Sequence, residues 1–268
     1  SEATGKVRRT MGFSGFLVVQ TFNCQVNIER YRQKDGTDIL KVILKPTKVY
    51  PEGYFYCDVS DEELVRQYTW FLMNQRQPYI VAHFGGRDSR QTLRFHREKA
   101  YNILEKYPNY INHIDGIEYD NVNMNLDKVT NQQNIWCKPS KGYKLAGRSF
   151  VPSIMVNFRN IYAKCTRTEV EACEVAHQLE LQYEDYCYDF FKDRRKDADI
   201  LDLERTGQIS EDEAIYRHVL RYADNAWYYY RYNLAEYFAN NHLKVPAFST
   251  DSDGYMTHLV TGQRLCPM

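Results

Sequence analysis

The chain lacks an excess of either charge: 35 Lys and Arg face 35 Asp and Glu. A protein that neutralises phosphate with cations over its whole surface is thereby excluded. The chain lacks any run of about eighteen apolar residues, which excludes a transmembrane helix. Its seven cysteines include no Cys-x-x-Cys pair, which excludes a zinc ribbon, and their odd number excludes a fully paired disulfide framework. Reduced thiols in a cytosolic or organellar compartment are the expectation. No internal repeat is present. What is there is 268 residues, 43% of them hydrophobic, enough to bury the core of one large soluble domain or two to three small ones. There are also 23 tyrosines, which point to aromatic-rich packing, against partners as well as within the fold. No signal peptide is visible, and a first residue of Ser1 rather than Met leads us to expect a removed targeting segment or tag.

The balanced total hides an asymmetry. Residues 76–164 hold fourteen Lys and Arg against seven Asp and Glu, whereas residues 165–268 hold eleven against nineteen. A basic block beside an acidic one reads as a nucleic-acid-binding centre with a shielding appendage, or as two faces meeting different partners.

Local patterning predicts strands over 15–22 and 39–44, where β-branched and aromatic residues run together. Residues 61–73 read as a short helix or extended element carrying Leu64, Tyr68, Trp70 and Phe71. Two strand-like runs, 79–84 and 92–95, flank Gly85-Gly86-Arg87-Asp88, a hairpin signal, with His96 ending the second strand. A helix over 97–107 stops before Pro108. Further on, 150–156 and 160–163 form a strand pair around a tight turn at Asn157-Phe158-Arg159. Thr168 with Glu171 is a capping box that opens a helix with Val170, Cys173, Ala176 and Leu179 on one face. Residues 185–205 read as exposed helix or linker. Ser210 with Glu213 opens a single long helix through Tyr237, whose run Trp227, Tyr228, Tyr229 and Tyr230 is aromatic on every side and so marks a partner surface. The tail from Pro246 is polar.

The stretch richest in chemistry is Ile111 to Asn134: Ile-Asn-His-Ile-Asp-Gly, then Asn121, Asn125-Leu126, Val129-Thr130 and Asn134. A histidine at a strand end can act as general base on water, and oxygen ligands beside it and on a following helix can hold a divalent metal against a phosphodiester. In motif and spacing this stretch resembles the HNH endonuclease family, and Phe95-His96-Arg97 resembles the segment those proteins carry upstream of the active-site loop. The resemblance implies His113 as general base, Asn121 as the residue orienting the loop, Asp115 as a loop brace, and Asn112 and Asn134 as ligands of one Mg²⁺ or Mn²⁺. Asn112 stands where many members carry Asp, and a neutral amide holds Mg²⁺ less strongly than a carboxylate.

A second resemblance follows directly. Lys141-Gly142-Tyr143, Phe150 to Asn157, Ile161-Tyr162 and Thr168 to Cys173 are similar to the APETALA-two domain of plant ethylene-response factors and some homing endonucleases. It implies a three-stranded antiparallel sheet backed by a helix, with Lys144, Arg148 and Arg159 meeting phosphates or base edges.

The expected fold is α+β: a ββα HNH-type motif, then the three-stranded sheet on its helix, then a mostly helical C-terminal extension. The expected segments are 1–56 (an extension with short strands), 57–137 (HNH-like), 138–190 (APETALA-two-like) and 191–268 (acidic and Tyr-rich). The function favoured is a structural RNA-binding subunit of a large ribonucleoprotein such as a mitochondrial ribosome, in the mitochondrial matrix. It would meet structured RNA through the sheet and other proteins through Trp227, Tyr228 and Tyr229. The alternative is an active site-specific DNA endonuclease of homing type, hydrolysing phosphodiester bonds with Mg²⁺ or Mn²⁺. A third reading is a transcription regulator using the sheet alone.

Overall fold

The computed structural model describes residues 10–11, 17–18, 26–33, 35–73, 78–84, 90–104, 109–183, 188–223, 225–243, 248–252, 256–258 and 264–265. The chain divides into two compact units, 1–129 with 202–208, and 130–201 with 209–268.

In the first unit β1 (Thr10–Met11) and β2 (Leu17–Val18) pair antiparallel, and the rest of the strand expected over 15–22 lies outside the described residues. β3 (Asn27–Arg32), β4 (Asp38–Ile43) and β5 (Tyr54–Asp58) form an antiparallel meander. Ile39, Leu40 and Val42, the β-branched and leucine run of the sequence, are fully buried on β4. Residues 61–73 divide into α1 (Glu62–Gln67) and β6 (Trp70–Leu72), because the Trp70 indole N–H donates to Val65 O at 3.1 Å and folds the strand back onto the helix. β6 pairs with β7 (Ile80–Phe84), and β7 with β8 (Gln91–Arg94), as the hairpin signal predicts; the glycine turn itself lies outside the described residues. α2 (Phe95–Leu104) begins two residues earlier than expected, so His96 sits in its first turn and not at a strand end. Phe95 is the anchor, fully buried against Phe55 at 4.7 Å and Trp70 at 5.0 Å between ring centroids.

β9 (Tyr110–His113) pairs antiparallel with β11 (Leu126–Val129), and β10 (Asp120–Asn121), between them in sequence, runs parallel to β5. The larger sheet therefore has the order β10-β5-β4-β3. Its core joins Leu40, Val42 and Phe55 to Leu64, Ile80 and Phe95. Each such side chain contributes roughly 1.5–3 kcal/mol by leaving water. β4 and β5 thus supply this core, with Ile28 of β3 packed against it. Residues 202–208 belong here too: Asp202 accepts hydrogen bonds from the hydroxyls of Tyr54, at 2.9 Å, and Tyr56. Arg205 lies 4.2 Å from the Tyr56 ring centroid and pairs with Asp120.

The second unit opens with α3 (Asn131–Trp136), capped by Thr130, whose hydroxyl accepts the Gln133 N–H at 3.2 Å. β12 (Tyr143–Ala146), β13 (Ser149–Val156) and β14 (Arg159–Tyr162) form the expected three-stranded antiparallel sheet. α4 (Glu169–Tyr183) packs on β13, with Thr168 accepting the Glu171 N–H at 3.2 Å. Gly142 is required there: its φ is +70°, and a Cβ would lie 2.6 Å from that of Ala176. Beyond come α5 (Ala198–Arg205), α6 (Glu211–Tyr222), α7 (Ala226–Arg231) and α8 (Leu234–Asn240). β15 (Phe248–Thr250), β16 (Met256–His258) and β17 (Arg264–Leu265) form a small antiparallel sheet in the polar tail.

The single helix expected from Ser210 to Tyr237 is three helices. Asn233, at φ +46°, separates the last two. The breaks let Tyr222, Tyr228 and Tyr232 converge on Phe190, at 5.5, 5.6 and 4.7 Å between ring centroids. In one straight helix Tyr222 and Tyr228 would point roughly 120° apart. The architecture is α+β, and among the described residues no helix is long and apolar enough to cross a membrane.

Candidate functional site

In the first unit the loop from β9 to β11 is built on Asn125. Its side-chain oxygen accepts the Asp115 N–H at 2.9 Å, and its amide donates to Asp115 Oδ1 at 2.7 Å and to Asp120 O at 2.8 Å. Asp115 also accepts the Ile117 N–H at 2.8 Å, so it braces the loop as expected. This frame presents Asn121, fully buried, to His113: the imidazole Nε2 lies 3.2 Å from Asn121 Oδ1. The Asn121 amide donates to Glu118 O at 3.4 Å, which turns its oxygen toward the ring. His113 Nε2 then carries the hydrogen and Nδ1 keeps the lone pair.

The pair is sealed. His113 is 7% exposed and His96 6%, and their rings meet edge to face at 5.2 Å. Burial pushes His113 below the ordinary histidine value, against the opposing effect of Asn121, and pushes His96 well below it. Both imidazoles are therefore neutral at pH 7. From α2, Lys99 reaches underneath: its ammonium bonds Asp58, Asp61 at 2.6 Å and Asn121 O at 2.7 Å, using all three hydrogens. Sequence reasoning missed Lys99 entirely. His96 carried a signal only through the Phe95-His96-Arg97 resemblance.

The carboxylates of the His113 loop have partners of their own. Asp120 is paired with Arg205, and burial together with Asp120 pushes the Asp115 carboxyl well above the carboxylate range. Strand alternation sends Asn112 to the opposite face of β9 from His113, across from Asp127. Asn134 lies on α3 in the second unit, half-buried, its backbone N–H bonding Thr130 O at 3.0 Å. Among the described residues no three His, Cys, Asp or Glu side chains gather into a metal-holding group.

In the second unit, residues 138–167 carry seven Lys and Arg and no Asp or Glu, and all seven cations are exposed. Lys144 stands on β12 on the sheet face away from α4, its ammonium donating to the Tyr162 hydroxyl at 2.9 Å. Arg148 sits in the β12–β13 turn, after Gly147 at φ +63°, a II′-type first loop position. Arg159 pairs across from Val156, which shares the face of buried Ile154, so Arg159 does not share a face with Lys144. The eight residues of β13 separate the two turns by roughly 25 Å. The cations are thus spread over both faces and both ends of the sheet and are not one cluster.

Exposed apolar side chains interleave with them: Tyr162 is 51% exposed, Leu145 70% and Phe158 75%. Phe158 is unusual. With Asn157 at φ +48° and Phe158 at +63°, the β13–β14 turn has the I′ form that asparagine and glycine favour. A bulky residue there costs roughly 1–2 kcal/mol. α3 holds the turn from below: Gln132 donates to Met155 O at 2.6 Å and accepts the Asn157 N–H at 2.8 Å, and the Trp136 indole donates to Met155 O at 2.8 Å.

Of the expected protein-docking run, Tyr229 is buried and Tyr228 half-buried within the chain's own aromatic cluster. The break between α6 and α7 turns the Tyr228 ring onto Phe190, and Tyr229 is buried in the same cluster. The side chain of Trp227 lies outside the described residues.

The chain matches no protein-family model, no curated protein and no solved structure.

Proposed function

We propose that the chain is a structural, RNA-binding subunit of a large ribonucleoprotein assembly of the mitochondrial-ribosome kind, carrying HNH-like and APETALA-two-like segments that serve binding. One observation carries the reading: residues 138–167, which build the three-stranded sheet and its flanks, carry seven exposed cations, no acidic residue, and the exposed rings of Phe158 and Tyr162. Cations along a sheet neutralise backbone phosphates, and aromatic faces stack on bases. The His113 loop favours a structural role, since its imidazole is buried, neutral and committed to Asn121, and its carboxylates are engaged. Binding to a structured RNA should weaken steeply between about 50 and 200 mM salt. Lys144→Ala, Arg148→Ala and Arg159→Ala should each weaken it and lower the salt slope by about one ion. Salt-insensitive binding, or unchanged affinity in all three variants, overturns the reading.

The in-register pair of His113 and Asn121 favours one alternative, a metal-dependent DNA endonuclease. Mg²⁺- or Mn²⁺-dependent nicking of duplex DNA, abolished by His113→Ala, would establish it.

A further inference from the structure

The β13–β14 turn spends backbone energy to display an aromatic ring in solvent. Its two loop positions are left-handed, yet the second is Phe158, 75% exposed and next to exposed Arg159. A turn of this form is satisfied by Asn-Gly, and Phe158 earns no burial in return. Side chains of α3 hold the strand leading into the tip, at Met155 O and at the Asn157 N–H, which fixes the backbone from which the ring projects. The charge around it suits a polyanion, since Lys138 to Arg167 contains no acid.

Resting on the RNA-binding reading, we propose that Phe158 is a stacking wedge: its ring packs on an unpaired base of the bound RNA, while Arg159 beside it meets the adjoining phosphate. Every base offers a π-face, so the wedge reads the absence of pairing and not a sequence. The test uses the full chain, fluorescence anisotropy, and three labelled probes: an RNA hairpin with one bulged nucleotide, the same hairpin fully paired, and a DNA copy of the bulged hairpin.

The wild type is expected to prefer the bulged RNA by about tenfold, the size of one base–aromatic stack. Phe158→Gly should abolish that preference by weakening binding of the bulged RNA about tenfold. It should also unfold at an equal or higher temperature, because glycine relieves the left-handed position. Phe158→Trp should keep the preference. If Phe158→Gly binds the bulged RNA as tightly as the wild type, the wedge is overturned with RNA binding intact. If the wild type binds neither RNA, the RNA-binding reading falls and the wedge with it. Tighter binding of the bulged DNA than of the bulged RNA would overturn RNA as the partner.

Discussion

Replacing Lys99 with Met should destabilise the first unit by about 3–5 kcal/mol at neutral pH. The Lys99 side chain is 1% exposed and bonds two carboxylates and a carbonyl at once. Met fills most of the volume of the lysine stem, so packing changes little and the loss is that of the buried ionic partner. Without it, Asp61 keeps the Asp58 N–H at 3.0 Å, and Asp58 the N–H groups of Asn123, at 2.8 Å, and of Asp61. Burial already holds the Asp61 carboxyl above the ordinary aspartate value, against the pull of Lys99, and removing Lys99 lifts it further. The folded variant then retains a proton that the unfolded chain releases, so its stability falls as pH rises above that value. The deficit is largest at pH 7 and smaller at about pH 4. Urea unfolding followed by tryptophan fluorescence measures it at both, and adding Asp61→Asn to the variant should recover part of the loss. A loss below about 1 kcal/mol at pH 7, or an equal loss at both pH values, would refute the buried ionic clamp.

The remaining predictions concern titration and the sheet. His96 and His113 titrate below their ordinary 6.5, so the unfolded chain binds protons first and native stability should fall as pH drops below about 6.5, measured as a decline in thermal midpoint. Asp115 has the opposite sign: its raised carboxyl favours the folded state at low pH and loses that contribution as pH rises. Asp115→Asn, which can keep the bonds to Ile117 and Asn125, should therefore raise the midpoint at pH 7, and a lower midpoint would contradict the raised carboxyl. The salt slope and the Phe158→Gly experiment test the sheet independently of the first unit.

Local signals were legible in proportion to how local their physics is. The capping residues Thr168 and Ser210 act over three positions and cap helices as expected, each accepting the N–H three residues on. The strand pair around Asn157 and the β7–β8 hairpin also follow from nearby residues. Contacts between distant positions left no trace. Asp202 binds Tyr54 across 148 residues, and Arg205 reaches Asp120 across 85. Nothing in a lysine flanked by charged and small residues marks Lys99 as buried. Apolar periodicity from Ser210 to Tyr237 reads as one helix because pattern alone does not see a core at Phe190 that draws rings from several directions. At the candidate site, His113 and Asn121 lie within 3.2 Å of each other, whereas Asn112 turns away by strand alternation. The face of Arg159 depends on a register that the turn geometry sets. Phe158 escaped notice because its oddity is a backbone angle and not a residue type.

The most direct test of the central claim is sedimentation of a native extract through a gradient at moderate salt, with this chain followed across the fractions. Co-migration with a large RNA-containing particle, and release to light fractions after ribonuclease treatment, is the expected result. A light, particle-free position in the untreated extract would contradict it.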